Sequence, residues 1–368
     1  MWSKYITKFL LKYGLVQSKD DQCFFMKKGM MVILFVDDMG ISVVDPKDID
    51  HLIHFLESNG LKLTREGTFS EFLGIKYEKD KKTGHLIATQ RGLIQKILEA
   101  AGMQDCNPNA VPAAPKALGI DPDGEPMSES WSYPSVCGML LYLSNNTRPD
   151  IAMAVSQVCR FTRDPKQSHA TAVKTIVRYL KGTANKGTII KPNGSLSLNS
   201  YCDADFGSLF KCDPPEEPTS ARSRTGYIIE LGGIPLLWKS QLQSTVALST
   251  AMAEYHALST LMRVAIPLRR MLVEVSETIG ISQELRASIR CRVFEDNQAT
   301  LTLANDQRLT SRTHHYHLQL HHFWEQTASR GGPFSIEAVE TRLQRADYLT
   351  KPMLRVSFEN CRQLNQGW

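Results

Sequence analysis

The pattern of hydrophobic and polar positions predicts a strand meander in the last third of the chain. Residues 191–195 are turn-forming, and apolar and polar positions then alternate over residues 196–205, which is typical of a β-strand. The same alternation over residues 225–231 and 234–240, on either side of Gly232-Gly233, predicts a hairpin. Together the three segments predict an antiparallel meander whose first strand ends in acidic residues.

Helical periodicity then alternates with short strands as far as residue 349. The pattern predicts strands over residues 290–295 and 334–340. It predicts helices over residues 249–276, 298–305, 313–329 and 343–349. Alternating elements of this kind favour a sheet with helices packed on it.

The first half of the chain carries the same two patterns in shorter segments. We predict strands over residues 22–26 and 29–36. Helices are predicted over residues 1–16, 46–59, 91–101, 151–161 and 168–180. Residues 107–130, which contain five prolines, are the most linker-like segment.

Composition adds only broad limits to this picture. The chain has 368 residues, of which 42% are hydrophobic and 22% charged, as in ordinary globular proteins. Its net charge of +5 fits a polyanionic partner without requiring one. No apolar run is long enough to span a membrane. Eight cysteines without a C-x-x-C pair favour free thiols in a reducing compartment.

Acidic residues at the ends of predicted elements are the main candidate chemistry. Asp203 and Asp205 end the first strand of the meander and are expected on one sheet face, where they repel unless a cation or proton lies between them. Glu254, Asp296 and Asp347 follow on elements suited to completing a metal site. The alternatives are a solvated Asp pair, an exposed helix acid at 254, a helix N-cap at 296 and a solvated acid at 347.

A second acidic pair, Asp37 and Asp38, is predicted in the turn after a buried strand, with Gly40 beyond it. Such a turn can present two carboxylates to a metal ion. An ordinary Asp-rich hairpin turn is the alternative.

Several motifs in the first half resemble, in order and spacing, the reverse transcriptase of copia-type retrotransposons. The string Ile33-Leu34-Phe35-Val36-Asp37-Asp38-Met39 is similar to the family's palm motif. Residues 72–75 resemble the segment that follows the palm. Residues 133–143 and 147–151 resemble the connection segment, and residues 178–183 resemble the end of that segment.

The last third resembles the ribonuclease H of the same Pol polyproteins. The catalytic-strand motif is Cys202-Asp203-Ala204-Asp205-Phe206. Further matches are residues 222–227, 231–233, 238–240, 246–250, 253–255, 295–298, 311–313 and 346–352. The resemblance covers essentially the whole chain and is most specific in this part.

The resemblance implies a mixed α/β (α+β) fold. A truncated reverse-transcriptase palm and connection would precede a ribonuclease H-like domain with a mixed five-stranded sheet flanked by helices. The implied domains are residues 1–106 (end of the palm and a thumb-like region), 107–190 (linker and connection), 191–355 (ribonuclease H) and 356–368 (a C-terminal tail).

The resemblance also implies an activity, the hydrolysis of the RNA strand of RNA–DNA hybrids by two Mg²⁺ ions, with Mn²⁺ as the alternative. Asp203 would bridge both ions, Glu254 and Asp296 would flank them, and Asp347 would complete the catalytic and metal-binding set. Nucleic-acid contacts are expected from the following residues: Lys239, Asn297, Gln298, Arg312 and His315.

The expected partners are an RNA–DNA hybrid and the remaining portions of Pol, with no membrane. The expected compartment is the cytoplasm, in virus-like particles, with the nucleus as the alternative. The alternative hypothesis is a catalytically inactive relic, or a co-opted fragment that only binds nucleic acid. In the family, a third palm carboxylate and the nucleotide-binding fingers precede the Asp-Asp turn. We therefore expect Asp37 and Asp38 to form a partial polymerase site without independent polymerisation.

A histidine cluster at residues 314–322 offers a second metal hypothesis. His317 and His321 stand at i, i+4, a spacing that can bind zinc, but no acid follows at the metalloprotease offset. Histidines with a structural or nucleic-acid-contacting role are the alternative for His314, His315, His317, His321 and His322.

Overall fold

The computed structural model describes residues 2–210, 212–214, 216–306 and 322–368. The chain divides into two compact units. The first comprises Met1–Phe72 and Val264–Ile289, and the second comprises Leu73–Arg263 and Arg290–Trp368. Within the described ranges, no helix combines the length and the apolar composition needed to cross a membrane.

An antiparallel sheet covered by two amphipathic helices forms the N-terminal part of the first unit. The strands pair in sequence order, and Leu10, Phe25, Val32, Leu52 and Leu56 are buried in the core between sheet and helices. The two helices and two strands predicted over residues 1–59 are confirmed, with ends that differ by a few residues, and three further short strands are present. The elements are α1 (Trp2–Lys12), β1 (Val16–Gln17), β2 (Phe24–Lys27), β3 (Met30–Phe35), β4 (Asp38–Val43), α2 (Lys47–Ser58) and β5 (Glu71–Phe72).

The second unit begins with a small antiparallel sheet and four helices. The elements are β6 (Ile75–Lys79), β7 (Leu86–Thr89), α3 (Arg91–Ala100), α4 (Tyr133–Asn146), α5 (Ala152–Val158), α6 (Gln167–Gly182) and β8 (Thr188–Ile190). Strands β6, β7 and β8 pair in that order. Residues 107–130 contain no helix or strand, as expected from their five prolines.

A mixed five-stranded sheet forms the rest of the second unit, and it confirms the predicted fold class. Its order is β11-β10-β9-β12-β13, with β9, β10 and β11 antiparallel to one another and β12 and β13 parallel to β9. The strands are β9 (Leu198–Asp205), β10 (Arg224–Leu231), β11 (Ile234–Leu242), β12 (Cys291–Glu295) and β13 (Phe334–Ala338). The helices are the first part of α7 (Thr250–Thr278), α9 (Gln298–Asp306) and α10 (Arg355–Gln366), whereas α7 from Val264 onward and α8 (Gln283–Ala287) belong to the first unit.

One face of this sheet shares a core with helices α3 to α6. Tyr201 of β9 and Ile228 of β10 pack in the same buried cluster as Val155 of α5 and Tyr179 of α6. Because side chains alternate along a strand, Cys202 points to the opposite face, whereas Asp203 is on the same face as Tyr201. The helices that precede the sheet in sequence therefore support the strand that carries the candidate acids.

Two predicted helices differ from the structure, and a third segment gains one. Of the predicted helix over residues 313–329, residues 313–321 lie outside the described residues and residues 322–324 are helical. The helix ends before the prediction does, since Ala328–Arg330 is a 3₁₀ turn that Gly331 ends in a left-handed conformation. The predicted helix over residues 343–349 is wrong. It is replaced by two 3₁₀ turns, Thr341–Leu343 and Asp347–Leu349. Between them Gln344 is extended, and its Nε2 donates to the Cys202 carbonyl oxygen at 2.9 Å. Residues 356–368, for which the sequence indicated a tail, lie largely in α10.

A buried ion pair joins the segments that resemble the family's connection motifs. The Arg148 guanidinium donates to both carboxylate oxygens of Asp150, at 2.9 Å from Nε and 2.8 Å from Nη2. Tyr179 Oη donates to the same carboxylate at 2.6 Å and Gln366 Nε2 donates at 3.2 Å, while Arg148 also donates to the Thr183 carbonyl oxygen. Burial by itself would raise the pKa of Asp150, but the charge and hydrogen bonds of Arg148 hold it below its ordinary value.

We predict that Asp150→Asn lowers the free energy of unfolding by about 3–5 kcal/mol, because it leaves a buried guanidinium without its charge partner. A carboxyl group whose pKa falls on folding stabilises the protein above its ordinary pKa of about 4, and this contribution is lost as the pH falls through the folded-state value. Urea unfolding at neutral and acidic pH measures both effects.

The exposed Asp123→Asn is the matched control, since it removes the same charge without a buried partner. Equal stability of the two variants at neutral pH would contradict the role of the ion pair.

Candidate metal centre

Asp203 lies near the end of the central strand β9, and its side chain is buried, with 3% of the residue exposed. Its partner on β10 is Gly226. A Cβ atom at Gly226 would come within 2.7 Å of Thr350 Cγ2 and 2.8 Å of Leu349 Cβ. A glycine is therefore required here for the Asp347–Leu349 turn to approach the sheet beside Asp203.

The approach of this turn brings Asp347 and two further residues to Asp203. The Thr350 hydroxyl contacts Asp203 Oδ2 and also lies 2.9 Å from the Asp347 carbonyl oxygen. Lys351 Nζ lies 3.0 Å from Asp347 Oδ1 and 3.9 Å from Asp203 Oδ2. A 3₁₀ turn followed by one lysine thus holds two buried carboxylates on the same side of the sheet.

Glu254 approaches Asp203 from the start of helix α7. It lies in the second turn, as the sequence predicted, and only 5% of the residue is exposed. Its Oε2 atom is buried and makes no hydrogen bond. A buried oxygen without a partner is costly, and a bound cation would satisfy it.

Asp296 completes the group at the end of β12. The alternative that Asp296 caps helix α9 is wrong, because Asn297 is the cap: its Oδ1 accepts from the N–H groups of Ala299 and Thr300 at 3.0 and 3.1 Å. Oxygen atoms of Asp203, Glu254 and Asp296 all lie within 4.8 Å of one another. Hard oxygen ligands at this spacing suit Mg²⁺ or Mn²⁺, so the residues fit the ion that the resemblance implies.

Burial and mutual repulsion raise the pKa values of Glu254, Asp203 and Asp347. Burial, together with the charges of Asp203, Glu295 and Asp296, raises the pKa of Glu254 to about 10. Burial raises the pKa of Asp203 to about 6, although Lys351 opposes the rise. The pKa of Asp347 is raised by burial and lowered by Lys351. The group is therefore a site where positive charge is strongly favoured.

Sequence reasoning assigned no role to two residues of this site. Glu295 is fully buried, where it accepts from Cys202 Sγ at 3.3 Å and from the Asn297 N–H at 3.0 Å, and burial raises its pKa to about 8. Its position at the end of an alternating strand was the available signal. Lys351 stands four residues after Asp347, a spacing typical of ion pairs, and this spacing could have predicted its contact with Asp347.

The other predicted residues lie in different surroundings. Asp205 is partly buried beside β10, where burial raises its pKa and a hydrogen bond from Ser208 lowers it. Lys239 is exposed on the edge strand β11, and its register with Tyr227 and Cys202 places it on the sheet face opposite to Asp203. Gln298 is exposed at the start of α9.

The histidine cluster lies almost entirely outside the described residues. Arg312, His314, His315, His317 and His321 all fall within residues 307–321, so the zinc hypothesis stays a prediction. His322 is described, and its Nδ1 lies 3.4 Å from Ser259 Oγ.

Asp37 and Asp38 lie at the hairpin between β3 and β4, in the first unit. Phe35 pairs with Asp38 across a two-residue loop, in which Val36 has φ +53° and accepts a hydrogen bond from Trp2 Nε1 at 2.8 Å. Both carboxylates are exposed, and Phe35 is 50% exposed, so the strand end is not buried as predicted. Among the residues that the structure describes, no third potential ligand joins this pair.

Comparison with known proteins gives matches over the whole chain. The family model for reverse transcriptase (RNA-dependent DNA polymerase) matches residues 1–115. A retrovirus-related Pol polyprotein from transposon RE1 of Arabidopsis thaliana is 30% identical over 98% of this chain and 23% of its own length. The chain spans about a quarter of the length of the Pol polyproteins that it matches.

Two further matches are one relative by sequence and one solved structure. An uncharacterised mitochondrial protein of Arabidopsis thaliana is 31% identical over 62% of this chain and 90% of its own length. An N-terminal ribonuclease H domain from Mycobacterium tuberculosis, solved as a fusion with maltose-binding protein, covers 46% of this chain and 98% of its own. Its TM-score is 0.26 at 12% identity, which is too low to support a conclusion.

We predict that Glu254→Gln raises the free energy of unfolding in EDTA at neutral pH, by on the order of 1 kcal/mol or more, because it removes a buried acid whose ionisation is disfavoured by burial and by the neighbouring carboxylates. The same change should reduce the stabilisation that Mg²⁺ or Mn²⁺ gives to the wild type, because a ligand is lost. Thermal unfolding with and without the metal measures both.

Glu277→Gln, on the same helix but with a half-exposed side chain, is the control and should change neither quantity by more than about 0.5 kcal/mol. A Glu254→Gln variant that is less stable in EDTA and equally stabilised by metal would contradict the assignment.

Proposed function

Since this chain belongs to the Pol polyprotein family of copia-type retrotransposons, we propose that its last third is a metal-dependent ribonuclease H. The substrate would be the RNA strand of an RNA–DNA hybrid. The observation that carries the proposal is the convergence of Asp203, Glu254 and Asp296, from three separate elements, within 4.8 Å. Asp347 joins them through the turn that packs on Gly226.

The residues divide into two groups around Asp203. Asp203, Glu254 and Asp296 would hold one cation, and Asp203 with Asp347 would hold a second. When bound, Mg²⁺ or Mn²⁺ would supply an activated water and stabilise charge on the scissile phosphate. The protein's own contribution is to hold the carboxylates together against their repulsion, on a packed sheet that keeps their geometry fixed.

The remainder of the chain supports a structural role beside the nuclease. We propose that residues 1–106 are the end of a reverse-transcriptase palm with a thumb-like region, and that residues 107–190 are its linker and connection. Residues 191–355 would form the ribonuclease H domain, and residues 356–368 would close its core through α10. The exposed pair Asp37 and Asp38 would be part of a polymerase site, and the two-ligand arrangement supports no polymerisation by this part alone.

The proposed substrate fixes the kind of recognition expected. A hybrid is read by its backbone shape and 2′-hydroxyl groups, so cleavage should depend little on sequence. The candidate contacts are Asn297, Gln298, Arg312 and His315, of which Asn297 also caps helix α9, whereas Lys239 lies on the sheet face opposite to Asp203. The proposed partners are the hybrid and the other portions of Pol, and the proposed compartment is the cytoplasmic virus-like particle.

We predict that the full chain cleaves a labelled RNA–DNA hybrid with Mg²⁺ or Mn²⁺ and that Asp296→Asn lowers the rate by about 100-fold or more. Loss of a ligand removes several kcal/mol of charge stabilisation in the transition state, and each 1.36 kcal/mol is a factor of ten. Product length and strand identity on a denaturing gel give the measurement, with Asp306→Asn at the exposed end of α9 as the control.

Equal inactivity of the wild type and Asp296→Asn, in protein that is folded and binds the hybrid, would contradict the nuclease. That result would favour a relic or co-opted fragment that only binds nucleic acid.

A further inference from the structure

One basic side chain lies among the buried acids of the candidate metal centre. Lys351 Nζ is 3.0 Å from Asp347 Oδ1 and 3.9 Å from Asp203 Oδ2. The side chains of these acids are only 9% and 4% exposed, whereas that of Lys351 is 42% exposed. The ammonium group therefore enters the cluster from the solvent side.

The two edges of the cluster differ in charge. On the edge formed by Asp203, Glu254 and Asp296, three oxygen atoms lie within 4.8 Å of one another. In the described part of the chain, no basic side chain forms an ion pair with Glu254 or Asp296. Asp203, which belongs to both edges, has Lys351 as its cationic partner, and so does Asp347. A cation thus meets one edge where two of the three acids have no cationic partner and another where both acids lie beside the ammonium.

We propose that Lys351 is the resident counter-ion of the Asp203–Asp347 edge and that a second divalent cation must displace it, so that the two cations bind in a fixed order. This inference rests on the proposed nuclease, because it concerns the same acids. The first cation would bind to Asp203, Glu254 and Asp296. The second would bind only when Lys351 leaves Asp347.

The chemistry of the side chain supports displacement. Lysine carries a compact charge on a flexible four-carbon stem, and it forms no rigid bidentate pair. Its partial exposure lets the ammonium regain water when it leaves. The backbone stays in place, because the Lys351 N–H donates to the Asp347 carbonyl oxygen at 3.3 Å. The displaced ammonium would remain at the rim of the site, where a phosphate of the substrate would replace the carboxylate as its partner.

Binding of Mn²⁺ to the full chain tests the order without reference to activity. Electron paramagnetic resonance of free Mn²⁺ during titration should give one tighter and one weaker binding event for the wild type. Lys351→Met removes the competing charge, so the weaker dissociation constant should fall by about tenfold while the tighter one changes less. Lys351→Arg keeps the charge and should not show the fall, and the exposed Lys96→Met is the unrelated-lysine control.

A second measurement on the wild type does not depend on how well a variant folds. In protein with ¹⁵N-labelled lysine side chains, the ammonium signal that Lys351→Arg removes should shift only slightly with the first equivalent of Mg²⁺, because Asp203 is shared. Its main shift should come with the second equivalent, when Lys351 leaves Asp347. A main shift with the first equivalent, or an unchanged weaker constant in folded Lys351→Met, overturns the inference and leaves the nuclease standing. A chain that binds no divalent cation overturns both.

Discussion

Repulsion among carboxyl groups buried at the end of β9 is the constraint on which the proposed site depends. Asp203, Glu254 and Asp347 are each no more than 6% exposed, and burial raises the pKa of every one of them. Such a group lowers the free energy of unfolding unless positive charge is bound there. Lys351 supplies that charge on one edge, and we propose that a divalent cation supplies it on the other.

The surrounding structure holds these acids in place by packing, since their own interactions are unfavourable. Gly226 lets the turn that carries Asp347 pack directly on the sheet, and Asn297 caps helix α9 so that the preceding acid is left free. The Arg148–Asp150 pair is hydrogen-bonded to Thr183, which follows α6, and to Gln366 of α10. The motifs that resemble the family's connection segment thus have a structural role in the same core as β9, the strand that carries Asp203.

The sequence was sufficient for the elements whose pattern is local. Alternation gave the strands of the mixed sheet, and the acidic positions 203, 254 and 296 came together as the resemblance implied. The sequence-based prediction was wrong where contacts between residues far apart in sequence determine the structure. The predicted helix over residues 343–349 does not form, because the side chain of Gln344 donates a hydrogen bond to β9. The role of Lys351 was missed for the same reason, because its second partner, Asp203, is far away in sequence.

The most direct test of the account is the location of Mn²⁺ by anomalous diffraction from crystals of the metal-loaded chain. We predict that the strongest peak lies within bonding distance of Asp203, Glu254 and Asp296, with any second peak beside Asp347 and with Lys351 turned away. A chain that binds Mn²⁺ only elsewhere, for example at Asp37 and Asp38, would contradict it.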